Sequence, residues 1–285
     1  MNLLFSMHTG GIVKIVPVLF VIIAGLFITS APEAEDLSTP QRNVRDALLN
    51  SYVVNDCCGC ILRRCLDGKQ HCSIADHLEN YLTWFVERDP DPDPVKVREQ
   101  IDLRYNGFVT DKVHAYDTEH LQVTGNPNAP VVVTAYVSAY CPSCKQHVAD
   151  LRNAVLSDGA LQKHAALYVK PVGKGIGNVA LLAAAEEGKF WELFFAYRRM
   201  NTVLKDTSDI IAVAANAGVL SERFVQLLSD PVLHQRLKEN LEESRNNDVK
   251  YYPAYFINGK KYSSSLKTRW VIDAIECEYE RLGKQ

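Results

Sequence analysis

The richest chemistry in this sequence is Cys141-Pro142-Ser143-Cys144. A C-x-x-C motif can exchange its sulfurs with an external thiol or disulfide, hold a metal, or tie a loop. The flanking residues decide among these. A β-branched run, Val131–Val137, leads in, and a stretch of helical character leads out. That context puts the first sulfur at a helix N-terminus, where unpaired backbone N–H groups and the helix dipole favour negative charge. The thiolate is the form that attacks disulfides. The second sulfur lies one turn further on, within reach of a mixed disulfide formed at the first. Pro142 suits the first turn, because its missing N–H would have had no partner there.

Five of the eight cysteines form a second cluster: Cys57, Cys58, Cys60, Cys65 and Cys72. It contains a C-x-x-C, a C-x-C and a vicinal pair. Three readings stand side by side. Two disulfides could pin a small helical module and leave one thiol over, for which Cys277 is an available partner. The cluster could be a dithiol relay exchanging electrons with Cys141 and Cys144. Four thiolates could also hold zinc or an iron–sulfur centre, although the spacings are too crowded for a standard finger and a vicinal pair is an awkward double ligand.

The elements that must position these sulfurs follow from caps, breakers and periodicity. Thr39-Pro40 starts a helix that should run to about residue 54. Ser73 with Asp76 resembles a capping box for a helix over 74–88. The Asp-Pro repeat at 89–94 reads as a stiff connector, and a third helix should cover 95–105. Gly125-Asn126-Pro127-Asn128 is a turn. After it come the strand Val131–Val137, a helix over 141–156 and a strand over 166–172, parallel to the first if the helix crosses over normally. Several helices should fill 178–247. Ala254–Ile257 is a strand, and Asn258-Gly259 turns it back into Lys260–Tyr262. A helix over 268–282 closes the chain. Gly173-Lys174-Gly175-Ile176-Gly177 lacks the spacing of a phosphate loop and reads as a flexible exit from a strand. Trp191, Phe194, Phe195 and Tyr197 read as core, and Glu242-Glu243 and Arg198-Arg199 as solvated faces.

The chain has 285 residues, 47% hydrophobic and 23% charged, with a net charge of -3. That balance gives no reason to expect a nucleic-acid partner. Residues 1–31 read as a signal peptide or signal anchor. Lys14 precedes an apolar stretch at 15–28, and Thr29-Ser30-Ala31 suits cleavage after Ala31. The apolar run is shorter than the roughly 20 residues of a comfortable span. Either outcome exports the remainder to an oxidising compartment, periplasmic or otherwise extracytoplasmic, with a membrane anchor if the segment is retained.

From His120 to Gly283 the pattern resembles the DsbA-like class of thioredoxin-fold thiol–disulfide oxidoreductases. The resemblance rests on the strand Val131–Val137 running through Ser138-Ala139-Tyr140 into Cys141-Pro142-Ser143-Cys144. It rests also on the long helical insertion with Gly188-Lys189-Phe190-Trp191, and on Tyr252-Pro253-Ala254-Tyr255-Phe256-Ile257-Asn258-Gly259-Lys260. It implies an α/β thioredoxin fold with a helical insertion over 120–283; ahead of it, residues 37–115 read as a small Cys-rich helical module outside the resemblance. The resemblance implies that Pro253 is cis beside the sulfurs, leaving backbone groups at Tyr252 free to pair with an extended substrate. This chain departs from the pattern at three places, Ser143, Ala135 and Tyr252. Ser143 stands where the best-known oxidants carry His. Ala135 stands where many relatives keep a buried acid. His147, one turn beyond Cys144, could serve as a proton acceptor through water, and reads more readily as a groove-lining residue. Tyr252 is bulkier than the usual Thr or Val.

Together these features imply an exported enzyme that exchanges disulfides with protein substrates through Cys141 and Cys144, in a direction the sequence leaves open. No organic cofactor is required, since the sulfur pair carries the electrons. A redox partner must recycle the pair. Two other classes remain: a metal- or cluster-handling protein built on the N-terminal cysteines, and a non-catalytic binding or chaperone module.

Overall fold

The computed structural model describes residues 37–68, 72–200 and 204–283. The expected signal segment, residues 1–31, lies outside them. Among the described residues, no helix is long and apolar enough to cross a membrane.

Helix α1, Thr39–Leu49, opens on a capping box: Gln41 N–H donates to Ser38 Oγ, and Ser38 N–H donates to the Gln41 side chain at 2.9 Å. It stops five residues short of the expected end, because Val53–Val54 turns out as strand β1 and pairs antiparallel with β2, Cys60–Ile61. Helices α2 (Leu62–Asp67), α3 (Ser73–Glu87) and α4 (Pro94–Val109) follow. Asp93 caps α4 by accepting the Val95 N–H at 2.9 Å.

The remaining order is β3 (Gln122–Gly125), β4 (Val131–Val137), α5 (Pro142–Ser157), α6 (Gly159–His164), β5 (Ala165–Pro171), then α7 (Ile176–Glu186), α8 (Phe190–Arg199), α9 (Thr207–Asn216), α10 (Glu222–Leu227) and α11 (Pro231–Asn246), and finally β6 (Ala254–Ile257), β7 (Lys260–Tyr262) and α12 (Thr268–Gly283). The strands make one five-stranded sheet in the order β3-β5-β4-β6-β7. Among the described residues only β4 and β5 run parallel, with Ala135 opposite Val169. Strand β3 was not expected from the sequence; it is a four-residue edge strand running into the turn at Gly125. The predicted hairpin is present, with positive φ at Asn258 and Gly259.

Helices α5 and α12 pack together on one face of the sheet. Helix α11 covers the other, where charge is buried. Lys170 Nζ on β5 donates to both Glu243 carboxylate oxygens, at 2.6 and 2.8 Å, and to the Asp117 carbonyl at 2.8 Å. The Tyr136 hydroxyl donates to the same carboxylate at 2.5 Å. Lys170 is 2% exposed, so its ammonium requires this partner. Glu243 is thus a counter-ion turned to the sheet, which corrects its reading as part of a solvated face.

The N-terminal helices dock on α12. Trp270 meets Tyr81 and Trp84 of α3, both with ring centroids 4.9 Å away. Asp273 takes a bond from buried Arg104 of α4 and sits 2.5 Å from His77 Nδ1. Burial opposes a charged His77, but the Asp273 hydrogen bond and the charges of Asp273 and Glu280 outweigh it and raise its pKa. Gly107 of α4 lies so near β7 that a Cβ there would be 3.7 Å from the Lys261 carbonyl oxygen.

Candidate active site

Cys141 is the N-cap of α5, placed by the end of β4 and by its own N–H bond to the Ser138 carbonyl at 3.0 Å. It is half-buried and joined in a disulfide to Cys144, which is fully buried; their Cα atoms are 5.3 Å apart. The Cys144 N–H donates to Cys141 Sγ at 3.1 Å. Ser143 Oγ lies 3.3 Å from the same sulfur, and so does the Tyr252 carbonyl oxygen. The Tyr252–Pro253 bond is cis, and Pro253 is buried. Cys141, Cys144, Tyr252 and Pro253, singled out separately in the sequence, therefore meet at one point. Beside them the ring of Tyr251 is 83% exposed.

The loop between β4 and α5 is held by residues that sequence reasoning missed. Asn178, fully buried on α7, accepts the Ala139 N–H at 2.7 Å and donates to the Lys174 carbonyl at 3.2 Å. The Tyr140 hydroxyl accepts the Gly177 N–H at 3.0 Å. Gly175 has φ +104, and a Cβ there would stand 2.6 Å from that hydroxyl. The glycine run is therefore a fitted wall against Tyr140 and not merely a flexible exit. Its sequence signal was visible, as closely spaced glycines directly after a strand, but its partner was not.

Ala135 is buried between Val169 and Tyr255, so no carboxylate stands at that position. His147 is half-buried on α5. Burial lowers the pKa of Lys145, the neighbour of Cys144.

The second cysteine cluster lies elsewhere. Cys57 bonds to Cys72 and Cys58 to Cys65, with Cα separations of 6.0 and 5.6 Å. Cys60 and Cys277 remain thiols. Cys277 is fully buried in α12, where burial pushes its thiol up to about 12, and it does not complete a third structural bond. The Sγ atoms of Cys57, Cys58 and Cys65 all lie within 4.8 Å of one another, a spacing that suits metal ligation only after both bonds are reduced. A cleft of about 570 Å³ runs beside the Cys57–Cys72 bond, lined also by Phe108, Asp111, Lys260 and Arg281. Lys260 and Arg281 both spend their charge on Glu278, at 3.2 and 2.9 Å. Lys260 follows the hairpin turn, at the end where Asn258 N–H meets the Val132 carbonyl. Cys141 follows the other end of β4. The length of that strand, roughly 20 Å at about 3.3 Å per residue, lies between the two cysteine groups.

A family model described as thioredoxin matches residues 117–276, more than half of the chain and wholly beyond the N-terminal cysteines. The chain belongs to the thioredoxin family. Oxidised BdbD from Bacillus subtilis shares its fold, with a TM-score of 0.51 and 17% identity over 59% of this chain and 97% of that one. A thioredoxin-like oxidoreductase from Silicibacter pomeroyi gives 0.49 and 17% over 63% and 98%. The family member described here has the α/β thioredoxin fold, with α7 to α11 inserted between β5 and β6. Among curated proteins, Na(+)/H(+) antiporter NhaA 1 of Mycolicibacterium gilvum is 29% identical over 167 residues, which is 56% of this chain and 27% of that protein. Na(+)/H(+) antiporter NhaA of Herminiimonas arsenicoxydans is 28% identical over 164 residues, 56% and 26%. The chain thus spans about a quarter of the length of these two relatives.

Proposed function

We propose that this protein is a thiol–disulfide oxidoreductase acting outside the cytoplasm on protein substrates, with Cys141 as the exchanging sulfur and Cys144 as the resolving one. One observation carries the reading. Cys141 Sγ is the solvent-facing member of the pair, accepts an N–H at the head of α5, and sits 3.3 Å from the Tyr252 carbonyl. A substrate thiolate attacking Cys141 breaks the Cys141–Cys144 bond and leaves the electron pair on Cys144. A second substrate thiolate then attacks the substrate sulfur of the mixed disulfide and expels Cys141 as a thiolate. The Cys144 N–H, Ser143 Oγ and the α5 dipole stabilise that charge. Reduction of a substrate disulfide is the same sequence reversed. The backbone of Tyr252, with Pro253, offers an edge for an extended substrate strand. A dithiol or disulfide partner recycles the pair. The apolar segment at 15–28 and the two disulfides of the N-terminal helices support an oxidising location.

The test is a Cys144→Ala variant expressed in its native compartment. Mixed disulfides should accumulate through Cys141, and they identify the substrates. Their absence, with the Cys141 thiol intact and open to alkylation, would overturn the assignment.

A further inference from the structure

Away from Cys141, one thiol is set directly against a disulfide. Cys60 Sγ is in contact with Cys58 Sγ and lies 3.7 Å from Cys65 Sγ, the two sulfurs of the Cys58–Cys65 bond. Exchange needs a thiolate close to one sulfur of a disulfide with the other free to leave, and this trio supplies all three parts. The supports are slight: Cys60 sits in a strand of two residues, beside Gly59 at φ +65. Such a short hairpin holds its side chains weakly.

We propose that Cys58, Cys60 and Cys65 form a second thiol–disulfide exchange site that switches an accessible thiol on and off. The Cys60 thiolate attacks Cys58 Sγ. The Cys58–Cys65 bond breaks, a Cys58–Cys60 bond forms, and the electron pair passes to Cys65, which takes up the proton that Cys60 gave to solvent. One disulfide and one thiol exist before and after, so no oxidant or reductant is consumed. The accessibility changes. Cys60 is half-buried, whereas Cys65 is fully buried. In the first arrangement the module presents a thiol that a disulfide on another molecule can reach; in the second that thiol is withdrawn into the core. Because Cys141 lies at the far end of β4, the switch works without it, and it does not depend on the role given to Cys141.

The experiment uses the full, unreduced chain carrying Cys141→Ala and Cys144→Ala, which removes the other exchange pair. The protein is held at pH 8, denatured in acid, labelled with a maleimide and mapped by mass spectrometry, with Cys277 as the reference thiol. Label is expected on both Cys60 and Cys65, the minor site holding roughly 1% of the total or more. Label on Cys60 and Cys277 alone overturns the proposal. A Cys65→Ser variant gives an independent reading. Cys58 and Cys60 should then be bonded to each other and only Cys277 labelled; label on both Cys58 and Cys60 overturns it.

Discussion

Cys57 and Cys60 have the same C-x-x-C spacing as Cys141 and Cys144, but only the second pair is bonded to itself. The difference lies in the backbone. Between Cys141 and Cys144 the chain enters a helix, and one turn brings the sulfurs together with a backbone N–H pointing at the first. Between Cys57 and Cys60 the chain makes a tight turn through Gly59, and Cys57 instead reaches across to Cys72 at the start of α3. The two groups also lie apart: Cys57 and Cys72 border a cleft with Lys260, just after the hairpin turn, whereas Cys141 follows the C-terminal end of β4. Sulfur chemistry in this molecule is thus set by where a strand or helix delivers each cysteine, and the motif alone leaves it undetermined.

The sharpest way to break that contrast is to remove one sulfur from the helix start. Cys141→Ser should lower disulfide exchange on a test protein by at least about 10³-fold, as expected when a covalent nucleophile is lost. Retention of most of the rate would move the chemistry to the other cluster. The next effect is one of stability. The Cys57–Cys72 bond spans a sequence separation of 15, and opening a loop of that size removes about 3 kcal/mol. Chemical denaturation of the Cys57→Ser/Cys72→Ser variant should show that loss, while exchange through Cys141 continues. A parallel collapse of the exchange rate would instead make the N-terminal bonds a relay.

Asn178→Leu tests the loop that aims Cys141. It leaves the Ala139 N–H without its partner, at about 1–3 kcal/mol for a buried donor, and should slow exchange as well as lower the melting temperature. The smallest effect concerns the docking of the N-terminal helices. Because the folded pKa of His77 is raised above its ordinary 6.5, its charged contact with Asp273 contributes fully at pH below that value. The contribution fades as pH rises through the folded pKa. Denaturation of a His77→Asn variant across that window should lack this slope, and an unchanged slope would assign it to another group.

Much of the candidate-site end was legible because it is local. A β-branched strand, a helix start and an Asn-Gly turn each announce themselves within a few residues, and together they located Cys141, Cys144 and the Tyr252-Pro253 step. What escaped depends on partners far apart in sequence. Glu243 on an otherwise polar helix reads as solvated until Lys170 is known to face it from β5. Asn178 and Gly175 read as ordinary loop and helix residues until Ala139 and Tyr140 stand against them. Strand β3 was too short, and too close to its turn, to show a period of two. The pairing of five crowded cysteines has no local signal at all, because it is decided by the fold of α2 and α3 around them.

Helix α4 has one more consequence. In the β6–β7 hairpin the Lys261 carbonyl belongs to a pair that is not bonded across the strands, so it points outward from the sheet margin. Gly107 brings a helix backbone against that outward carbonyl. The margin that an unrelated chain could otherwise lengthen by adding its own strand is thereby shielded. The β7 edge is closed to the strand-by-strand polymerisation that an open margin invites.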